Sequence, residues 1–229
     1  MHGLPLIQAP LSGVTRREFL VVSAATLGLL LTGCLNHSVK EQPLTFGEMA
    51  MKLDGMARSL VGSAHPDEEA YLQAVEQLVG RLGSPTPPDF QGRSPVTSCS
   101  GINGNPLKIV YFKLQPGARI PPHDHRDYNG VVHVMEGSAR ILSYDIAGKR
   151  PADSSEPLLV RKTREVSAFK GDNSTLTRSR DNIHDIVAGP EGVVFMDVFT
   201  FFSEDGHSTY LTIEDKKPGA DGLYRARWS

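Results

Sequence analysis

Eight histidines occur in this chain of 229 residues, and five of them, His123, His125, His133, His184 and His207, lie in the half richest in strand-forming residues. Imidazole binds first-row metals when neutral and titrates near neutral pH, so a cluster of these residues has two obvious chemistries. His123 and His125 stand two apart. In extended backbone, residues i and i+2 point to the same face, so an extended stretch over residues 122–126 presents two imidazoles side by side. His2, His37 and His65 sit in the leader, in a polar stretch and just ahead of a helical pattern, and read as uninvolved.

The elements that must position these side chains come in two textures. Residues 44–60 space Phe46, Met49, Met51, Leu53, Met56 and Leu60 in a partly helical pattern. Residues 66–82 are more regular: Tyr71, Leu72, Val75, Leu78, Val79 and Leu82 recur at steps of three and four. Acidic residues occupy the first turn of that second pattern, and Gly83 lies beyond its end. The methionine and leucine stripe is expected to pack against the main domain. Ser84-Pro85-Thr86-Pro87-Pro88 then breaks the helix and reads as a linker. From about Leu107 the chain turns to short runs rich in Val, Ile, Phe and Tyr, over 107–114, 130–135, 139–144, 158–161, 183–188 and 193–201. Runs at this spacing with no helical pattern between them predict an antiparallel barrel or sandwich.

Composition narrows the function classes. Apolar residues at 39% and charged residues at 22% suit a globular chain with a core of its own. A formal net charge of −2, with no basic run, provides no field for nucleic acid. Two cysteines, Cys34 and Cys99, cannot build a disulfide framework.

Cys34 has another reading. Thr15-Arg16-Arg17-Glu18-Phe19-Leu20 leads into an apolar run over 21–31 that is short for a membrane span. The paired arginines resemble a bacterial twin-arginine export signal, and Leu31-Thr32-Gly33-Cys34 resembles a lipobox, whose cysteine is acylated after cleavage. These likenesses imply export by the twin-arginine machinery and a lipid anchor at Cys34 on the periplasmic face. The expected organisation is a signal over 1–33, a tether over 34–43, a helical extension and Pro-rich linker over 44–98, and a β domain over 99–229.

Gly117-Ala118-Arg119-Ile120-Pro121-Pro122-His123-Asp124-His125 and the later Gly137 resemble the first motif of the cupins, whose fold is a small double-stranded β-helix barrel. In that family the two histidines bind a metal with a glutamate four residues after the second. Here Arg126-Asp127-Tyr128-Asn129-Gly130 places Gly130 at the glutamate position. The second cupin motif supplies a histidine on a later strand, and Asp181-Asn182-Ile183-His184-Asp185-Ile186 fits it. A three-histidine cupin worded this way is similar to the thiol dioxygenases, in particular the cysteamine and plant cysteine oxidase branch, over roughly residues 105–213. Phe195-Met196-Asp197-Val198-Phe199 matches a strand of that branch bearing an aspartate. Phe201-Phe202-Ser203 replaces its Pro-Pro-Tyr, and His207-Ser208-Thr209-Tyr210 replaces its Cys-His-Tyr-Tyr, departures that bear on the substrate more than on the metal.

The resemblance implies one Fe(II) per chain on His123, His125 and His184, and oxidation of a small thiol or an N-terminal cysteine to the sulfinic acid by O2. It implies that Asp197 holds the substrate amine or a histidine ring. With Asp197, Tyr210 is the second expected catalytic side chain, at the mouth of the pocket beside His207. His133 is expected to be solvated or to support the site from behind, and Cys99 has no assigned role. Two other readings stay open: a periplasmic cupin that binds a metal or ligand without catalysis, and another metal-dependent cupin enzyme.

Overall fold

A computed structural model describes residues 42–83, 87–150 and 156–229. Chain contacts separate Met1–Gln42 from Pro43–Ser229, and the elements below all belong to the second unit. The export signal and Cys34 lie outside the described residues.

Two helices come first. In α1 (Phe46–Val61) a reciprocal cap closes the N-terminus: Glu48 N donates to Thr45 Oγ1 at 3.3 Å, and Thr45 N donates to the Glu48 carboxylate at 2.8 Å. In α2 (Glu68–Gly80) Asp67 accepts from Ala70 N at 3.0 Å, while Glu68 and Glu69 oppose the positive end of the helix dipole. Both helices bury one stripe, Met49, Leu53, Ala57 and Leu60 from α1 and Tyr71, Leu72, Val75 and Val79 from α2. These pack on Leu107, Ile109, Val131, Met135, Met196 and Val198 of the sheet. The expected packing of the stripe on the main domain is therefore observed, although Met51 lies outside it at 60% exposure.

Among the described residues nine strands form one curled antiparallel sheet: β1 (Val96–Asn103), β2 (Leu107–Leu114), β3 (Arg119–Asp124), β4 (Tyr128–Ile146), β5 (Leu158–Phe169), β6 (Asn173–Leu176), β7 (Ile183–Phe201), β8 (Leu211–Ile213) and β9 (Tyr224–Trp228). Their order is β1-β2-β7-β4-β5-β9-β8, with β3 added along β7 and β6 along β4. The all-β architecture with an N-terminal helical extension is as the sequence predicts. The first strand opens at Val96, just ahead of the expected start at residue 99.

Four of the expected runs are halves of two long strands, β4 and β7, while β1, β3, β6, β8 and β9 are not among the expected runs. β4 and β7 pair along nearly their whole lengths, with register shifts at Val134/Glu136 and Gly137/Ala139. Gly137 (φ 72°) and Gly192 (φ 80°) adopt left-handed backbone beside this shift, so glycines that read as turns are bends within strands. The bend lets one half of β7 pair with β2 and the other with β3, which curls the sheet. Along β4, Val132 and Val134 join Ile120, Ile141, Ile186 and Phe195 in the interior of the curl, while Val131 and Met135 face the helices.

Candidate metal centre

β3 carries two prolines next to the histidine pair, a composition that ordinarily excludes a laddered strand because proline has no N–H to donate. The ladder accommodates them by slipping. Ile120 pairs with Ile186, the register then shifts across Pro121 and Pro122, and pairing resumes with His123 opposite His184. The two histidines are thus cross-strand neighbours, a proximity set by register. His125 lies one residue past the end of β3, and Asp127 (φ 59°) turns the chain into β4.

The three rings converge through their Nε2 atoms. His184 Nε2 lies 3.0 Å from His123 Nε2 and 3.2 Å from His125 Nε2, and one ligand atom from each residue falls within 4.8 Å of the others. All three are buried, at 9%, 1% and 2% exposure for His123, His125 and His184. Burial pushes their pKa values down, well down for His125 and His184, where neighbouring histidines add to the effect. His123 Nδ1 sits 2.9 Å from Pro121 O; a carbonyl only accepts, so Nδ1 carries the proton and Nε2 keeps its lone pair.

Three neutral imidazole nitrogens aimed at one point repel one another unless a cation occupies it. Bonds of roughly 2.1 Å at right angles place such nitrogens about 3 Å apart, as His184 Nε2 is from the other two. The residues therefore fit a first-row metal held on a three-nitrogen face. Neighbouring carboxylates are committed elsewhere: Asp124, fully buried, pairs with Arg150 at 2.5 Å and accepts from Thr209 N, and Asp185 is gripped by Arg119 at 2.6 and 2.7 Å.

Gly130 leaves a gap beside this cluster. A Cβ there would lie in ordinary contact with Asp197 Oδ1 and Phe199 Cδ1 at 3.5 Å and with His125 Nδ1 at 3.6 Å, so these three groups surround the position. Asp197 Oδ1 and His125 Nδ1 are both buried with no hydrogen-bond partner, and both flank this gap. Burial alone pushes the Asp197 pKa to about 8, which makes it a neutral acid at pH 7.

Tyr210 lies beside His123, with ring centroids 5.6 Å apart, and is 45% exposed. His207 is also exposed and reaches only the carbonyl of Asp205 through its ring, while its backbone pairs with Arg126. His133, expected to be solvated or behind the site, is buried and bonded to Asn173 at 2.8 Å. It alternates with Val132 and Val134 and so belongs to the sheet face opposite the cluster. Cys99 is half-buried on β1 opposite Tyr111.

Several side chains at the cluster went unassigned in the sequence. Tyr128 packs against His125 at 4.4 Å between ring centroids, stacks on Phe201, and hydrogen-bonds Ser208 through its hydroxyl. Burial drives its phenol pKa up. The pairing of Asp124 and Arg126 with Thr209 and His207 lays residues 207–210 along the histidine segment. Tyr128 stands in the very stretch noted for its missing glutamate, and an aromatic three residues past a paired histidine is the signal that was available.

Comparison with known proteins adds a second line of observation. A family model described as PCO_ADO matches residues 68–210. The human 2-aminoethanethiol dioxygenase is 26% identical over 159 residues, 58% of this chain and 57% of that protein. The mouse 2-aminoethanethiol dioxygenase is 29% identical over 147 residues, 54% of this chain and 57% of that one. The chain thus spans a little over half the length of these relatives. Among solved structures, a Klebsiella pneumoniae protein with a double-stranded β-helix domain is similar at a TM-score of 0.40 and 15% identity, covering 52% of this chain and 87% of its own.

Proposed function

Since the chain belongs to the PCO_ADO family, we propose that it is a non-haem iron thiol dioxygenase in which His123, His125 and His184 hold one Fe(II). The reaction is R–SH + O2 → R–SO2H: sulfur is oxidised, dioxygen is reduced, and both oxygen atoms end in the sulfinic acid. The single observation that carries this reading is the convergence of three buried, neutral Nε2 atoms with no carboxylate among them. When bound, Fe(II) supplies Lewis acidity that favours thiolate over thiol, and the redox capacity to activate O2.

The rest of the work falls to the protein. Pro121 O holds His123 in the tautomer that presents Nε2 inward. Phe199, Phe201 and Tyr128 form an aromatic wall against His125 that keeps water from its ring. Asp197, whose carboxyl pKa burial raises to about 8 in the metal-free chain, stands at the gap beside His125 Nδ1, where it would steady that ring or the substrate amine. Tyr210, the accessible aromatic next to His123, contacts the thiol's carbon skeleton as it enters. The substrate is a small thiol or a peptide with an N-terminal cysteine.

We also propose that the leader directs twin-arginine export and that Cys34 is acylated, which holds the catalytic domain at the periplasmic face of a membrane. Among the described residues no helix is long and apolar enough to cross a membrane.

The deciding experiment is oxygen uptake by protein loaded anaerobically with Fe(II), against cysteamine, cysteine, 3-mercaptopropionate and a Cys-initiated peptide, with His184→Ala as control. The expected result is uptake with one thiol, an equivalent of sulfinate, and loss of both in the variant. Stoichiometric metal with no uptake on any thiol would instead favour a metal-binding cupin without this chemistry.

A further inference from the structure

His123 and His184 are held by the β3–β7 ladder, but His125 lies past the end of β3, where that ladder no longer fixes it. Its backbone is nevertheless fully engaged, by a single residue. His125 N donates to Asn182 O at 3.0 Å, and His125 O accepts from Asn182 Nδ2 at 2.9 Å. The same Nδ2 donates to Thr177 O at 3.1 Å. Because both partners are carbonyl oxygens, only the NH2 end of the amide can face them. Asn182 thereby supplies, with one main-chain acceptor and one side-chain donor, the pair of bonds that another ladder rung would give.

The segment holding Asn182 is itself constrained. Thr177 Oγ1 accepts from Ser179 N and Arg180 N, and Thr177 N donates to Arg180 O at 2.9 Å, closing a tight turn. Asp181 follows with left-handed backbone (φ 53°), its carboxylate held by Thr163 at 2.5 Å and Arg180 at 2.8 Å. Asn182 is 7% exposed and directly precedes the strand bearing His184. A shift at this one residue therefore moves His125 relative to the other two rings.

We infer that Asn182 is a positioning residue for the metal centre, pegging His125 at the height where its Nε2 meets those of His123 and His184. The inference rests on the metal-centre reading and deepens it, since no atom of Asn182 needs to touch the metal. Groups that orient ligands in this way typically contribute 10–100-fold in metal affinity.

The test is a Co(II) titration of the full chain, stripped with chelator, followed by the visible absorption of the ion, for the parent, Asn182→Ala, Asn182→Ser and Tyr71→Phe. Tyr71→Phe deletes a buried hydrogen bond to Thr200 under α2, in the cluster between the helices and the sheet, and controls for general loss of stability. Asn182→Ala is expected to weaken Co(II) binding 10–100-fold and alter the absorption bands, Asn182→Ser, which keeps one donor, to fall between it and the parent, and Tyr71→Phe to bind as the parent does. Binding by Asn182→Ala within threefold of the parent, or an equal loss in Tyr71→Phe, overturns the role; if the alanine variant does not fold, parent-like binding by the serine variant overturns it. Failure of the parent itself to bind Co(II) would remove the metal-centre reading, a result distinct from these.

Discussion

Burial favours the neutral forms of His123, His125 and His184 in the folded chain, and they titrate near their ordinary value of 6.5 once unfolded, whereas Asp197 keeps its proton up to about pH 8 when folded and loses it near 3.8 when unfolded. The signs oppose. Around pH 5 the unfolded chain binds more protons on its histidines than the folded chain binds on Asp197, so stability of the metal-free protein rises with pH toward about 6.5. Between 6.5 and 8 the unfolded histidines release the rest of their protons while the folded Asp197 still holds one, so the two contributions largely cancel. Stability should level off near pH 7 and fall only by roughly 0.5 kcal/mol before pH 8. Asp197→Asn is expected to replace that plateau by a continued rise of about 1 kcal/mol up to pH 8, as read from urea midpoints across a pH series; a parent curve that rises alongside the variant's above pH 6.5 would contradict a buried, partnerless Asp197. Legibility at this scale was uneven. The histidines and Asp197 stood out by type and by motif, but Tyr128 and Asn182 did not, because a phenol or an amide acquires a role only from what packs on it.

The elements β4 and β7 do the positioning, and Gly137 is where both depend on one backbone conformation. Its φ of 72° belongs to the left-handed region, and a Cβ would collide with the carbonyl of Gly192 and crowd Val193 Cα at 3.2 Å. Neither neighbour is a flexible side-chain end. Gly137→Ala is expected to lower stability by at least about 3 kcal/mol, from left-handed strain plus the clash, measured as a drop in denaturation midpoint. Gly148→Ala, also at positive φ (91°) but with nothing near its Cβ, should cost about 1–2 kcal/mol from strain alone. The bend also explains why β4 and β7 each read as two strands: alternating apolar runs broken by glycine look like hairpins, and only pairing across the break shows one continuous strand. β1 was passed over for a different reason, since its Thr97-Ser98-Cys99-Ser100 segment is an edge whose hydrogen bonds to β2 owe little to burial.

For the whole molecule, the proposed anchor and the catalytic domain make separate demands. If Cys34 is acylated, labelled palmitate should be incorporated into the parent chain and not into Cys34→Ser, which should leave the membrane fraction while keeping its oxygen uptake; label in both, or in neither, would remove the anchor proposal. What the sequence determined by itself is local: the stripes of two capped helices, the alternation that makes a sheet, and the two-residue spacing that puts His123 and His125 on one side. These follow from periodicity and capping, which act within a few residues. Tertiary structure alone decided that β3 slips past its prolines to set His123 opposite His184, that Asn182 secures His125 from 57 residues away, and that His133 faces away from the histidine cluster. Register and long-range pairing decide such matters, because a shift of one residue moves a side chain to the other face of the sheet.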